Sequence, residues 1–142
     1  MAIREKQLPE PGVIVTVLSG TVTPEDVLAH YDRLPSVERR RMLIYVEPTA
    51  DLARINVGVI PELKRAIAAK LVELYGNERV LTAWVCGPGA NEPLIDFWCR
   101  YVVGGEYLST SVLFPTLEAA CDWLGLSGAA RGAAAEAIEV LG

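Results

Sequence analysis

The sequence predicts an α/β fold: a mixed sheet that opens with an antiparallel hairpin, continues with parallel strands and is covered by helices. Short runs of β-branched and other apolar residues alternate along the chain with longer segments in which apolar residues recur at helical spacing. Strands joined through a helix run parallel, with right-handed crossovers. The predicted element order is therefore β-β-α-β-α-β-α-β-α.

The hairpin and the first helix have clear local signals. Residues 3–8 alternate weakly, residues 13–18 (VIVTVL) are rich in β-branched side chains, and the turn sequence PEPG lies between them. The stretch TPED at 23–26 predicts a helix start, because Thr is a good N-cap, Pro suits the first turn and the acids face the positive end of the helix dipole.

Later elements follow from the same patterns. In order they are a buried strand at 42–46, a helix at 61–75 closed by Gly76, a strand at 80–86, a helix from about 93 to 104, a strand at 108–114, and a helix at 117–124 capped by Thr116. We expect one domain over residues 1–126. The Ala-rich segment 127–142 is expected to be helical or mobile.

Composition excludes several function classes. An apolar share of 51% in 142 residues supports a core without disulfides or metal. A net charge of −5 argues against nucleic acid as the main partner. Apolar runs fall short of the roughly 18 residues of a membrane span, and the first residues carry charges where a signal peptide is apolar. We expect a cytoplasmic protein with no transmembrane segment.

The sequence offers little for catalysis, cofactors or metals. The three cysteines lack metal-type spacing, and the single histidine, His30, lies at the border of an apolar helical stripe, as a structural histidine does. The turn at 87–92 begins as G-x-G, but Glu92 replaces the third glycine of a dinucleotide-binding motif and would oppose a phosphate. We therefore expect no catalytic residues, no cofactor and no metal, with an enzyme that uses this turn as the weakest alternative.

Two further clusters have a structural and a functional interpretation. The basic run 39–41 is expected to be a solvated edge that prevents strand aggregation, with contact to an acidic lipid or protein surface as the alternative. Bulky aromatic residues are numerous for so small a sheet, and they predict either a dimer interface or an apolar pocket. The predicted pocket residues are Trp84, Phe97, Trp98 and Tyr101.

Three features resemble the STAS-like, SpoIIAA-like superfamily, which has the anti-anti-sigma-factor fold. They are the opening hairpin followed by the TPED helix start, the unit MLIYVEPTADLARINVGVIPELKRA at 42–66, and the ending VLFPTLEAACDWLGL. The resemblance spans about residues 3–126. It implies a single-domain bacterial protein that binds a partner protein or a small apolar ligand, and it favours a homodimer.

The resemblance also draws attention to the loop VEPTADLARINVGVIP at 46–61. In classical members of the superfamily a serine just before the helix-leading glycine is phosphorylated, which turns partner binding off. Here Val57 precedes Gly58 and Asn56 precedes Val57, so the phosphorylatable serine is missing. Thr49 is the loop's one hydroxyl and lies upstream, beside Asp51. We expect a ligand- or partner-binding loop that is not controlled by a kinase at the usual position.

Three functions remain open from the sequence. The first is a non-enzymatic binding or regulatory module, and the second is a carrier of a lipid or other small apolar ligand. The third and weakest is the enzyme alternative at 87–92. A large internal void would favour the carrier, whereas a packed core with an exposed apolar patch would favour a protein partner.

Overall fold

A computed structural model describes residues 2–35, 41–76, 78–101 and 109–142. Ten elements follow one another along these ranges: β1 (Ile3–Gln7), β2 (Val13–Leu18), α1 (Pro24–Arg33), β3 (Arg41–Val46), α2 (Ile60–Tyr75), β4 (Val80–Val85), α3 (Glu92–Arg100), β5 (Ser109–Phe114), α4 (Leu117–Leu124) and α5 (Gly128–Leu141).

The five strands form one mixed sheet, which confirms the predicted fold class. Their spatial order is β1-β2-β3-β4-β5, the same as their order in the chain. β1 pairs with β2 antiparallel, and β2, β3, β4 and β5 pair in parallel. Each step from β2 onward therefore needs a helical crossover, which α1, α2 and α3 supply in turn.

Helices cover both faces of the sheet. Along β3 and β4 successive side chains alternate between two hydrophobic clusters, as the pleat requires: Met42 and Trp84 belong to the cluster beneath α1, α2 and α3, and Leu43 and Ala83 to the cluster beneath α4 and α5. All six residues of β2 are buried for the same reason. This two-sided burial explains why the central strands read as continuous apolar runs instead of alternating ones.

The C-terminal segment is helical and packs on the sheet. α5 begins at the N-cap Ser127, whose hydroxyl oxygen accepts from the backbone N–H of Ala130. Its buried face consists of Ala130, Ala134 and Ala137, and it contacts β1, β2 and α4. Small side chains on that face let the helix lie close to the sheet.

Local signals at the helix ends behave as predicted. Thr23 forms a capping box with Asp26, in which each side chain accepts from the other residue's backbone N–H. Thr116 caps α4, and Gly125 ends it at φ +67°. The helix predicted to continue to residue 104 ends at Arg100, and residues 102–108 lie outside the described ranges.

The prediction of a solvated basic edge does not hold for Arg41. Its guanidinium is 15% exposed and lies 2.8 Å from a carboxylate oxygen of Glu10. It also donates to the backbone carbonyl of Leu124 at 3.2 Å. Arg41 therefore joins the hairpin turn to the end of α4, while residues 39 and 40 lie outside the described ranges.

In the ranges that the structure describes, no helix has the length and apolarity needed to cross a membrane.

The close packing of α5 on the sheet is testable with a matched pair of substitutions. Ala134 is fully buried, so Ala134→Leu is expected to lower the free energy of unfolding by about 1–3 kcal/mol through overpacking. Ala135 is exposed, and Ala135→Leu is expected to change it by less than about 0.5 kcal/mol. Urea unfolding measures both, and equal effects of the two changes would contradict this packing.

Candidate ligand-binding site

Loops from three neighbouring parallel strands meet at one edge of the sheet. Residues 19–23 follow β2, residues 47–59 follow β3 and residues 86–91 follow β4, so all three loops leave the carboxyl ends of adjacent strands. This edge is where open α/β sheets commonly bind ligands.

Two side-chain turns shape the loop that follows β3. A carboxylate oxygen of Asp51 accepts from the backbone N–H of Ala53 at 3.0 Å, and the side-chain oxygen of Asn56 accepts from that of Gly58 at 3.0 Å. Between these turns Leu52 and Ile55 are buried, at 3% and 6% exposure. The loop thus presents an apolar inner side and a polar outer side.

Hydrogen bonds fasten this loop to both of its neighbours. The backbone N–H of Asp51 donates to the carbonyl of Gly20 at 2.8 Å, and its carbonyl accepts from Val22 at 2.9 Å. On the other side the Asn91 side-chain amide donates to the carbonyl of Ala50 at 2.9 Å. Asn91 sits at the N-cap of α3 without capping it by its side chain, which makes this bond instead.

An open groove of about 600 Å³ lies between the loop after β3 and the start of α3. Most of its lining is apolar, with the side chains of Asp51, Asn56 and Asn91 as polar groups. The lining residues are Ala50, Asp51, Leu52, Ala53, Ile55, Asn56, Val57, Ala90, Asn91, Pro93 and Leu94.

A second, interior cavity lies next to this groove. Leu52, Ile55 and Leu94 line both spaces, so they form the partition between them. The cavity is bounded by the sheet, α1 and α3, and its free volume is about 30 Å³, enough for a water molecule or two. This volume is far below the several hundred cubic ångströms expected of a lipid carrier, so the interior is nearly packed.

The nearly apolar wall of the cavity includes His30, which belongs to a polar cluster with Glu5 and Arg33. His30 is 3% exposed and lines it, and its Nδ1 lies 3.3 Å from a carboxylate oxygen of Glu5. Arg33 donates to the same carboxylate through Nε at 2.7 Å. Burial by itself would raise the pKa of Glu5, but the hydrogen bonds from His30 and Arg33 outweigh it and lower that pKa to about 2.

Two buried ring nitrogens, on side chains that line this cavity, lack a partner among the described residues. Nε2 of His30 and Nε1 of Trp84 are both buried, and neither has a hydrogen-bond partner among the residues described. Both side chains line the interior cavity. Buried polar atoms in native proteins are nearly always hydrogen-bonded, so this pair is unusual for a packed core.

The four aromatic residues predicted to form a pocket separate into two pairs. Trp84 and Trp98 line the cavity, with ring centroids 6.0 Å apart. Phe97 and Tyr101 stack at 5.9 Å, and Phe97 is 36% exposed. The structure places this second pair outside the lining of both spaces, as far as residues 2–35, 41–76, 78–101 and 109–142 describe it.

A buried lysine positions the end of the helix that carries Trp98. Nζ of Lys64 on α2 donates to the backbone carbonyls of Trp98 at 2.6 Å and Tyr101 at 2.8 Å, and it lies 5.1 Å from the Trp98 ring centroid. Burial lowers the pKa of Lys64 to about 8. The lysine therefore satisfies carbonyls at the C-terminus of α3 and holds the indole against the cavity.

The loop residues predicted to bind a ligand are also divided. Asp51, Asn56 and Val57 line the groove, and Val57 is 58% exposed there. Thr49 is exposed outside the described groove lining, and Gly58 serves the turn at Asn56.

Several lining residues were not predicted from the sequence. Leu52, Ile55, Leu94 and Asn91 are among them. A signal for the first two existed, since Leu52 and Ile55 are the large apolar residues in the otherwise polar stretch that follows Ala50.

The turn at 87–92, where the enzyme alternative was placed, begins beside a buried thiol. Gly89 adopts φ +152°, and a small cleft of about 70 Å³ lies beside the turn. Burial raises the pKa of the Cys86 thiol at its start, which makes the thiol a poorer nucleophile. Over the described ranges, no group of three or more His, Cys, Asp or Glu side chains is placed to hold a metal ion.

No protein-family model matches the chain, and no significant match to a curated protein or to a solved structure was found.

The Glu5 cluster predicts a specific acid sensitivity. Because the pKa of Glu5 falls from 4.5 to about 2 on folding, its ionised form stabilises the native state above pH 4.5, by on the order of 1–2 kcal/mol once solvent screening of this partly exposed cluster is included. Relative to Glu5→Gln, the wild-type protein is expected to lose most of that free energy of unfolding as the pH drops from 4.5 through 2. Urea unfolding of both proteins at several pH values tests this. A difference between them that stays constant from pH 7 to 2 would refute it.

Proposed function

We propose that the protein is a non-enzymatic, cytoplasmic binding module of STAS/SpoIIAA-like type that holds a small, uncharged apolar ligand in the groove between residues 50–57 and 90–94. The observation that carries this proposal is the groove itself. It is concave and mostly apolar, and it has a few fixed polar groups, which is how small-molecule sites are built.

The size of the groove favours a small molecule over a protein surface. Its volume of about 600 Å³ falls within the roughly 300–1,000 Å³ of small-molecule sites. A stable protein interface buries about 800 Å² on each partner, which this groove alone does not offer. Exposed Val57 at its rim is the feature that keeps a protein partner as the second candidate.

Charge favours a neutral ligand. Among the groove residues that the structure describes, Asp51 is the one charged side chain, and the whole chain carries a net charge of −5. A free fatty-acid carboxylate would meet repulsion at that rim.

The proposal predicts that a charge placed in the groove blocks binding. N-phenyl-1-naphthylamine is an uncharged, environment-sensitive fluorophore that serves as the probe. Val57→Glu is expected to weaken its binding about tenfold or more. The bound fluorophore would shield the new carboxylate from water without offering it a hydrogen-bond partner.

Val72→Glu is the matched control, since Val72 is similarly exposed at 49% but lies near the far end of α2. It adds the same charge and should leave the affinity unchanged. Equal affinity of the two variants for the fluorophore would contradict binding in the groove.

Native mass spectrometry of the protein from its host tests the same proposal without a chosen probe. We expect a co-purifying neutral molecule of low mass that organic solvent extracts. The same spectrum measures the predicted homodimer, which stays a prediction because the structure describes a single chain. A ligand-free protein that also fails to bind the fluorophore would favour the protein-partner alternative.

A further inference from the structure

The two edge strands of the sheet differ in chemistry. β1 forms one edge, and its exposed side chains include the charged residues Arg4 and Lys6. β5 (STSVLF) forms the other edge, and its sequence contains no charged residue and no proline. Natural sheets protect their edges with charges, prolines or bulges, because an unprotected edge strand pairs with another strand. β1 is therefore protected against such pairing, whereas β5 is not.

The backbone of β5 has one free hydrogen-bonding side. In the described part of the chain β5 pairs with β4 alone, in an unbroken register from Ser109 to Phe114. The carbonyl of Phe114 accepts from the backbone N–H of Cys86, which directly follows β4, so this carbonyl points toward β4. The N–H and C=O groups of successive strand residues point to opposite sides in turn. Those of Ser109, Ser111 and Leu113 therefore point away from β4.

These outward groups are self-complementary about a two-fold axis at Ser111. Antiparallel pairing of two β5 strands about this axis places Ser111 opposite its own counterpart and Leu113 opposite Ser109 of the other copy. Each facing pair exchanges two backbone hydrogen bonds, about six in all. An axis at Val112 would instead place Ser109 opposite Pro115, which follows the strand and has no N–H.

The side chains of β5 also suit a second copy of the same strand. Each chain carries a net charge of −5, so two copies repel one another where their charged surfaces meet. The edge at β5 brings no charged strand residue to the axis: Ser111 meets Ser111, and Thr110 meets Val112 of the other copy. Hydroxyl pairs across strands are favourable, whereas like charges directly opposite one another are not.

Aromatic surface lies beside β5 on both faces of the sheet. Trp123 of α4 packs on Phe114 with ring centroids 5.6 Å apart, and both side chains are half-buried. On the opposite face α3 contacts β5, and its Phe97 is 36% exposed and stacks on Tyr101. Homodimer interfaces are more apolar than the rest of a protein surface. This aromatic surface therefore adds apolar area next to the free edge.

We infer that β5 is a homodimer interface, in which two copies of this chain pair their β5 strands antiparallel about a two-fold axis at Ser111 and join their sheets into one. The axis uses the free edge of both copies, and the charges on β1 prevent further pairing at the outer edges, so the assembly is closed. No residue of β5 lines the groove, so this interface does not depend on the proposed function.

Charge substitutions at Ser111 test the axis. Ser111→Lys and Ser111→Glu each place two like charges opposite one another, so each is expected to weaken dimerisation at least about tenfold at low ionic strength. An equal mixture of the two variants should restore a dimer that contains one copy of each, because a lysine then faces a glutamate. Gln7→Lys adds the same charge at the exposed end of β1 and should leave the dimer unchanged. Analytical ultracentrifugation measures all four proteins.

Hydrogen exchange of the wild-type protein tests the pairing without a substitution. The amides of Val112 and Phe114 point toward β4 and should exchange slowly in any folded state. The amides of Ser111 and Leu113 point away from β4, so slow exchange there requires a partner strand. In the dimer we expect these two amides to exchange at least about tenfold more slowly than solvent-exposed amides.

Three results would overturn the inference. The first is a wild-type protein that stays monomeric at the concentrations used for nuclear magnetic resonance. The second is a dimer that Ser111→Lys leaves unchanged, or one that folded Ser111→Lys and Ser111→Glu chains do not restore when mixed. The third is a wild-type dimer in which the amides of Ser111 and Leu113 exchange as fast as exposed ones. Because the fluorophore assay for the groove uses none of these readouts, the two proposals can fail separately.

Discussion

The parallel pairing of β2, β3, β4 and β5 in chain order is the constraint on which the rest of the structure depends. It forces a helical crossover at each step, and all three crossovers lie on the same face of the sheet. It also places the loops that follow β2, β3 and β4 side by side at the carboxyl ends of adjacent strands. Residues far apart in the chain thereby become neighbours. The hydrogen bonds from Asp51 to Gly20 and from Asn91 to Ala50 then hold these loops together, and the groove is the space left above them.

The antiparallel hairpin adds a polar element that a purely parallel sheet would lack. β1 brings Glu5 to the exposed end of the cavity wall, where His30 and Arg33 on α1 meet it. This pairing compensates for burying a carboxylate and a histidine. On the other side Lys64 performs a comparable task for Trp98. Glu5 and Arg33 thus position His30, and Lys64 positions Trp98. Both of these rings line the otherwise apolar cavity.

The sequence predicts the elements well because each is encoded by local residues. The capping box at Thr23 and the glycine that ends α4 need only neighbours within a turn. What local patterns cannot supply are partners across the fold. Arg41 looked like part of a solvated cluster because its acceptor at Leu124 is 83 positions away, and Asn91 could be assigned only to the turn at 87–92 because its acceptor at Ala50 is 41 positions away. The loop at 46–61 was predicted as one site. Its two side-chain turns orient some of its residues toward the interior and others toward solvent.

The position of Val57 connects the groove with the resemblance to anti-anti-sigma factors. Val57 is exposed in the lining of the groove, directly before Gly58, at the position where the proposed STAS-like resemblance expects a phosphorylatable serine. A small apolar ligand in the groove would occupy the same surface without any covalent modification. Its affinity would come mainly from apolar contact, and its orientation from the side chains of Asp51, Asn56 and Asn91 in the groove. Under the proposed function, binding of the ligand would therefore change this loop surface without a phosphorylated residue.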